Sequence, residues 1–373
     1  MRRLTSLLVV ALAALTPLSL VGSSAQAQPR PPEDGRLMAP EKVTRHVWVM
    51  RQPDRLWAAV IGNVVIIEQS DGVVLVDSGG SIADGRDVVA AVARLTKKPI
   101  KAVAITHWHN DHPLGITAIL DRFPGVRIIA TAATAEFLKT ELKTGIGKPD
   151  TALDQARLGR SNDTIKSFNE EAQKAGNSPV LRQQYAIEAR WIARRIKRQM
   201  GNYVVMPTQT FRQRLLLPDT VAPVDLRFLG VGNTHGDLIA WLPRQRVVAS
   251  GDIVVLPTPY GFTNPIAPWQ AVLKQLETLP FTTLIPGHGQ VQRDRRYLHT
   301  LEWSMIDIRT KARAAAAAGL TKDKAWEQFD QAPHRTRFHA TDDWKKAWLE
   351  AYWLKGMFET AYDEAKGIPA TVK

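Results

Sequence analysis

The stretch Ile105–Gly115, ITHWHNDHPLG, places three histidines and an aspartate within six residues, directly after the apolar run Ile100–Ile105. A short apolar run ending in a dense polar cluster reads as a buried strand that delivers side chains to a site at its C-terminal end. His107 and His109 are two apart, so on an extended segment they point the same way. Asp111 and His112 follow once the chain has turned. This gives two imidazoles to one ion and a carboxylate with an imidazole to a second, donors that suit borderline-soft divalent metals. A surface histidine cluster is the plainer alternative, but it gives no reason for such density straight after a buried strand.

Working outward, His46–Met50, Val60–Glu68 and Val73–Asp77 read as strands, with Ser70-Asp71-Gly72 as a turn. Asp84–Leu95 has helical spacing, and a second helix is expected over Gly115–Arg122. Strand Arg127–Ala130 and a helix from Thr134 follow. Residues 143–206 break the rhythm and read as a helical insertion with one long basic helix, Val180–Met200. Its charges are expected to form a solvated face beside the stripe Leu181, Tyr185, Ile192 and Ile196. Strands resume at Phe211–Leu217, Asp225–Val231, Leu238–Leu242 and Arg246–Ser250, then helix Trp269–Leu279 and strand Thr282–Ile285. Residues 293–373 read as a helical C-terminal extension, with five tryptophans placed for packing. Alternating strands and helices predict a layered α/β fold.

The N-terminus, MRRLTSLLVVALAALTPLSLVGSSAQAQPR, has two arginines, an apolar run from Leu7 to Leu20 and Ala25-Gln26-Ala27 as a cleavage pattern. Residues 1–27 are therefore expected to be a signal peptide, with 28–42 a flexible lead-in and export to a bacterial periplasm. No later run is apolar for long enough to cross a bilayer. The chain has no cysteine, which excludes disulfides, thiolate ligands and cysteine nucleophiles. Lys and Arg total 49 against 36 Asp and Glu, a net charge of +13 that would suit anionic surfaces or substrates but reads first as ordinary solvated charge on a basic exported protein. No basic-aromatic interleaving points to nucleic acid, so a small-molecule substrate is expected.

The His-x-His-x-Asp-His run resembles the signature of the metallo-β-lactamase fold superfamily, and four further segments match in order. They are Val76-Asp77-Ser78-Gly79-Gly80, Gly232-Asn233-Thr234-His235-Gly236-Asp237, Ser250-Gly251-Asp252 and Ile285-Pro286-Gly287-His288-Gly289. The resemblance implies a four-layer αβ/βα sandwich over residues 43–292. It makes His107 and His109 ligands of one metal, Asp111, His112 and His288 ligands of a second, and Asp252 the bridging carboxylate. Asp77 would support the metal-binding loop. Two divalent ions are implied, zinc first, with iron or manganese as other ions the fold takes.

Relatives place a histidine where this chain has Asn233, and His235 lies two residues later. Asn233 and His235 are both left open as the last ligand of the first metal. Trp108, Tyr260, Phe262 and Trp269 are candidate pocket walls, with core packing as the alternative for each. The implied chemistry is metal-dependent hydrolysis of a carbonyl ester, thioester, lactone or lactam, with Asp111 orienting the attacking water. Asp252, where zinc β-lactamases carry Cys or Ser, is closer to the glyoxalase II-like branch and makes β-lactam cleavage a minor activity. A mononuclear iron dioxygenase of the same fold and a non-catalytic metal- or partner-binding protein are the alternatives.

Overall fold

A computed structural model describes residues 36–54, 58, 60–140, 146–261 and 264–370. The expected signal peptide, most of the lead-in and Phe262 lie outside the described residues. The fold begins before residue 43: Leu37 is buried, and the first strand opens at Glu41.

The first sheet has seven strands in sequence order: β1 Glu41–Thr44, β2 Val47–Met50, β3 Val64–Glu68, β4 Val73–Val76, β5 Ile100–Ala104, β6 Arg127–Thr131 and β7 Gln209–Phe211. Neighbours are antiparallel up to β4 and parallel from there to β7. The second sheet runs β12-β11-β10-β9-β8, with β8 Arg214–Leu217, β9 Val224–Phe228, β10 Leu238–Leu242, β11 Val247–Ala249 and β12 Thr283–Ile285.

Side chains alternate across each strand, and that alternation builds the layers. From β3 and β4, Val65, Ile67, Val74 and Val76 point inward and meet Leu238, Ala240 and Leu242 of β10 between the sheets. Their neighbours Val64, Ile66, Val73 and Leu75 point outward onto helix α1, Ile82–Leu95, and helix α2, Ile116–Arg122. Ile239 and Trp241 likewise leave the second sheet for the opposite helical layer. Burying both faces of both sheets explains why these strands are almost continuously apolar. The result is the four-layer αβ/βα sandwich.

Helix α3, Ala132–Thr140, follows β6. The insertion contains two long helices: α4, Thr151–Lys174, capped by Asp150, and α5, Pro179–Gln199, capped by Ser178 with proline in its first turn. The sequence pattern shows α5 but hides α4. Few α4 residues are buried, Asp154 and Arg157 among them, so its apolar stripe is too sparse to register.

The expected strand Phe211–Leu217 is two strands in different sheets. Phe211 pairs with Thr131 and Leu217 with Val224, and the chain crosses between sheets at Arg212-Gln213. A period-2 pattern cannot register a change of partner.

Helix α6, Ile266–Glu277, packs on the second sheet with the C-terminal helices α7 Arg296–Ala317, α8 Lys322–Glu327, α9 Ala332–Arg337, α10 Asp343–Leu349 and α11 Lys355–Ala365. A π-helical turn, Glu350–Leu354, joins the last two. Trp344, Trp348 and Trp353 are buried, as packing tryptophans should be. Among the described residues no helix is long and apolar enough to cross a membrane.

Candidate metal centre

Each element that feeds the centre ends at the same edge of the sandwich. Asp77 follows β4, the histidine run follows β5, Asn233 lies between β9 and β10, Asp252 follows β11 and His288 follows β12. Carboxyl ends of strands in open α/β sheets are where loops converge on ligands.

Asp77 organises the first loop. Its backbone is left-handed, with φ of 61°, a conformation rare outside glycine. Asp77 Oδ1 accepts the Thr106 backbone N–H at 2.8 Å, and Oδ2 accepts the Thr106 hydroxyl at 2.7 Å. Oδ2 also accepts His112 Nδ1–H at 2.8 Å. Because the Thr106 hydroxyl donates to Asp77, it accepts from His107 Nδ1, 3.0 Å away. These hydrogen bonds engage Nδ1 of each ring and leave Nε2 of His107 and of His112 facing the centre.

His107 Nε2 lies 2.8 Å from His109 Nδ1 and 3.6 Å from Asp252 Oδ2. The other Asp252 oxygen, Oδ1, lies 3.3 Å from His112 Nε2 and 3.5 Å from His288 Nε2. Asp111 Oδ2 is 3.1 Å from His288 Nε2 and 3.5 Å from His112 Nε2. One Asp252 oxygen therefore faces each half of the centre.

Gly251 and Gly287 permit this approach. A Cβ on Gly287 would lie 1.9 Å from Asp252 Oδ1, and one on Gly251, at φ of 53°, would lie 2.7 Å from Thr106 Cβ.

The donor chemistry fits metal. His112 Nε2, Asp252 Oδ1 and His288 Nε2 are buried and make no hydrogen bond, although they converge on one point. Buried polar atoms are otherwise almost always paired, so three together mark a place for a cation. Two groups, His107/His112/Asp252 and Asp111/His112/His288, each offer ligand atoms within 4.8 Å of one another.

Burial would lower His112, but Asp252, Asp111 and Asp77 outweigh it and push the ring well above the usual imidazole range, so an incoming ion would displace its proton. Burial, aided by the neighbouring His112, holds His107 well below the usual imidazole range, in its neutral ligating form. Burial would raise Asp111, but His112 and His288 outweigh it and keep the carboxylate ionised. Asp252 is held well below the carboxylate range against burial by His288, His112 and His107.

Asn233 and His235 separate clearly. Asn233 is buried with its side-chain amide 3.3 Å from His109 Nδ1, whereas His235 is exposed. The motif loop keeps its frame because Thr234 donates its backbone N–H and hydroxyl to the Asp237 carboxylate, at 2.7 and 2.8 Å. That turn aims residue 233 inward and residue 235 outward.

Among the candidate pocket residues, Trp108 stacks on Phe137 with ring centroids 4.2 Å apart and meets His109 edge-on at 4.3 Å. Tyr260 lies beside His288, with ring centroids 5.8 Å apart. Trp269 is not a pocket wall. It is 1% exposed, donates its indole N–H to the Ile253 carbonyl at 3.2 Å and packs edge-on against Trp353. Its helical spacing with Val272, Leu273 and Leu276 is a core signal that outranks nearness to Asp252 in sequence.

Asn63 is a positioning residue that sequence reasoning missed. Its amide donates to the carbonyls of Pro286 at 2.9 Å and Gly289 at 3.0 Å, and its backbone N–H donates to Gly287 at 2.7 Å. These three bonds clamp the loop carrying His288. A lone polar residue just before an apolar strand was the available signal.

Comparison with known proteins agrees with this geometry. The sequence matches the metallo-beta-lactamase superfamily over residues 57–288. The chain belongs to the metallo-β-lactamase superfamily. It is 26% identical over 287 residues to a linear primary-alkylsulfatase of Pseudomonas sp. (strain ATCC 19151), covering 72% of this chain and 50% of that protein. It is 24% identical over 270 residues to a type 2 metallo-beta-lactamase of Bacillus sp. (strain 170), covering 70% of this chain and 80% of that one. Among solved structures, the sec-alkylsulfatase Pisa1 from Pseudomonas sp. superposes with a TM-score of 0.60 at 16% identity, over 88% of this chain and 50% of that one. The chain thus spans about half the length of the alkylsulfatases it matches. The named relatives are a sulfatase and beta-lactamases, and the histidine–aspartate clusters of this chain could hold divalent metals.

Proposed function

We propose that the protein is a dinuclear, zinc-dependent hydrolase of ester bonds. The observation that carries this is Asp252, whose two oxygens face two different donor groups. His107, with His109 and the Asn233 side chain beside it, would hold one ion; Asp111, His112 and His288 would hold the other. Divalent ions held there supply Lewis acidity that brings the pKa of water toward neutrality.

The chain's own residues do the rest. The Asp111 carboxylate, kept ionised beside His112 and His288, orients the attacking water by accepting its hydrogen bond. Trp108 and Tyr260 flank His109 and His288 and narrow the approach to the bond. The substrate class is a carbonyl ester, thioester or lactone, with β-lactam cleavage minor because the relevant position is Asp252.

A second reading, a sulfuric ester of an alkyl chain, draws support from the 26% identity to the alkylsulfatase. Residues 1–27 have the layout of an export signal, so we place the protein in a bacterial periplasm, where it meets substrates from outside the cell.

The test is a panel of 4-nitrophenyl acetate, an acyl thioester, a lactone, a cephalosporin and dodecyl sulfate, run on protein reconstituted with zinc, manganese or iron. Ester turnover is expected with zinc and should drop by about 10²-fold or more in Asp111→Ala. Wild-type rates in that variant would overturn the reading. One bound iron with oxygen uptake and no ester turnover would replace it with dioxygenase chemistry, and metal without any turnover with a binding role.

A further inference from the structure

We infer that the cleft between α4, α5 and the metal-ligand loop is a subsite for an anionic group, carboxylate or sulfate, carried by the substrate beside the reacting bond. This rests on the hydrolytic reading of the metal centre and adds a recognition element to it.

The cleft has a volume of about 230 Å³ and is lined by Arg157, Arg160, Ser161, Arg195, Gln199 and Asn110, among others. Among the described lining residues there are three arginines and no carboxylate. Arg157 is ion-paired with Asp154, and an anion in the cleft would gain attraction to Arg160 and Arg195.

Two of the three are fixed in place before any ligand arrives. Arg157 is 9% exposed and donates from Nη1 to the Asn202 carbonyl at 2.9 Å and to Asp154 Oδ1 at 3.3 Å. Arg195 donates from Nη1 to the Ala58 carbonyl at 2.8 Å. A guanidinium anchored through one nitrogen still presents the rest of its planar fork, the geometry that suits carboxylate or sulfate oxygens. The ion pair with Asp154 and the bond to Asn202 account for the burial of Arg157 and hold its guanidinium at the cleft wall, whereas Arg160 is exposed.

Asn110 connects this cleft to the chemistry. It lies between His109 and Asp111, about 3.8 Å along the chain from each at Cα. It lines the cleft. An anion in the cleft would therefore sit beside the segment that carries His109 and Asp111. Every arginine involved lies on the helical insertion, so the insertion selects substrate while the sandwich holds the metals.

The experiment compares zinc-loaded protein on 4-nitrophenyl butyrate and on the 4-nitrophenyl half ester of glutaric acid, which ends in a carboxylate. The acidic ester is expected to have the higher kcat/KM. That preference should fall about tenfold in Arg160→Gln, an exposed position, and again in Ser161→Asp, which puts a negative charge into the cleft. An unchanged preference in both variants overturns the proposal. If neither ester turns over, the hydrolytic reading has failed, and calorimetry with free glutarate then judges the cleft. Binding weakened about tenfold by Ser161→Asp supports the subsite, and equal binding overturns it. Tight binding of inorganic sulfate without any preference between the esters would also overturn it, because the cleft would then hold a free anion.

Discussion

Asp77 Oδ2 accepts His112 Nδ1–H at 2.8 Å while the same oxygen accepts the Thr106 hydroxyl that faces His107. A single buried carboxylate thus orients one histidine in each half of the centre. Replacing it by alanine should weaken metal binding about 10- to 100-fold, the usual effect of losing a partner behind a ligand. Competition with a chromophoric chelator measures this, and an unchanged affinity in Asp77→Ala would remove the role given to this residue.

Metal affinity should depend on pH through His288. Burial lowers its pKa, but Asp252 and Asp111 outweigh burial and push it up to about 9. Below that value an incoming ion must displace a proton from the ring, so apparent affinity rises as pH rises toward about 9 and binding releases protons. Calorimetry in buffers of different ionisation enthalpy counts those protons. Affinity flat from about pH 6 to 9 would contradict the assignment.

The two candidates for the last ligand make opposite predictions. Asn233→His, placing an imidazole where an amide now lies 3.3 Å from His109, should raise zinc occupancy of the His107/His109 half. His235→Ala, at an exposed position, should leave occupancy as it is. Elemental analysis after dialysis against limiting zinc distinguishes them. Zinc loss in His235→Ala would reverse the assignment.

Gly287→Ala should damage both stability and metal content. Its Cβ would stand 1.9 Å from Asp252 Oδ1 and 2.8 Å from the Asp252 backbone nitrogen, with no flexible side-chain end able to yield. Overpacking of this kind costs about 1–3 kcal/mol. Chemical denaturation with parallel zinc analysis tests it, and a variant matching wild type in both would show that the loop relaxes freely.

Zinc removal should lower the melting temperature, because ligand that binds only the folded state adds about 2.7 kcal/mol at a free concentration of 100 Kd. Scanning calorimetry before and after chelation reads the change. Identical midpoints would mean that the converging donors hold no ion in solution.

Much of this was legible along the chain because the relevant physics is local. His107 to His112 lie within six residues, so their spacing alone proposes a metal site. Val64 to Ile67 and Leu238 to Leu242 are continuously apolar, the mark of strands buried on both faces. Other features depend on distant partners. Helix α4 is stabilised by α5 and has too few apolar positions to be seen in isolation. Trp269 looks like a pocket wall until Trp353, far along the sequence, is found packed against it.

By itself the sequence determined the layered α/β class, the ordered set of ligand-type residues and the absence of any thiolate chemistry. Only the tertiary structure decided that Asn233 and not His235 meets His109, that Asp77 orients His107 and His112, and that Asn63 clamps the His288 loop. It also decided that three arginines of the insertion share a cleft with Asn110. The physical reason is range. Periodicity and spacing encode what a segment does with its own neighbours, whereas the direction of a loop side chain is set by hydrogen bonds to residues tens or hundreds of positions away.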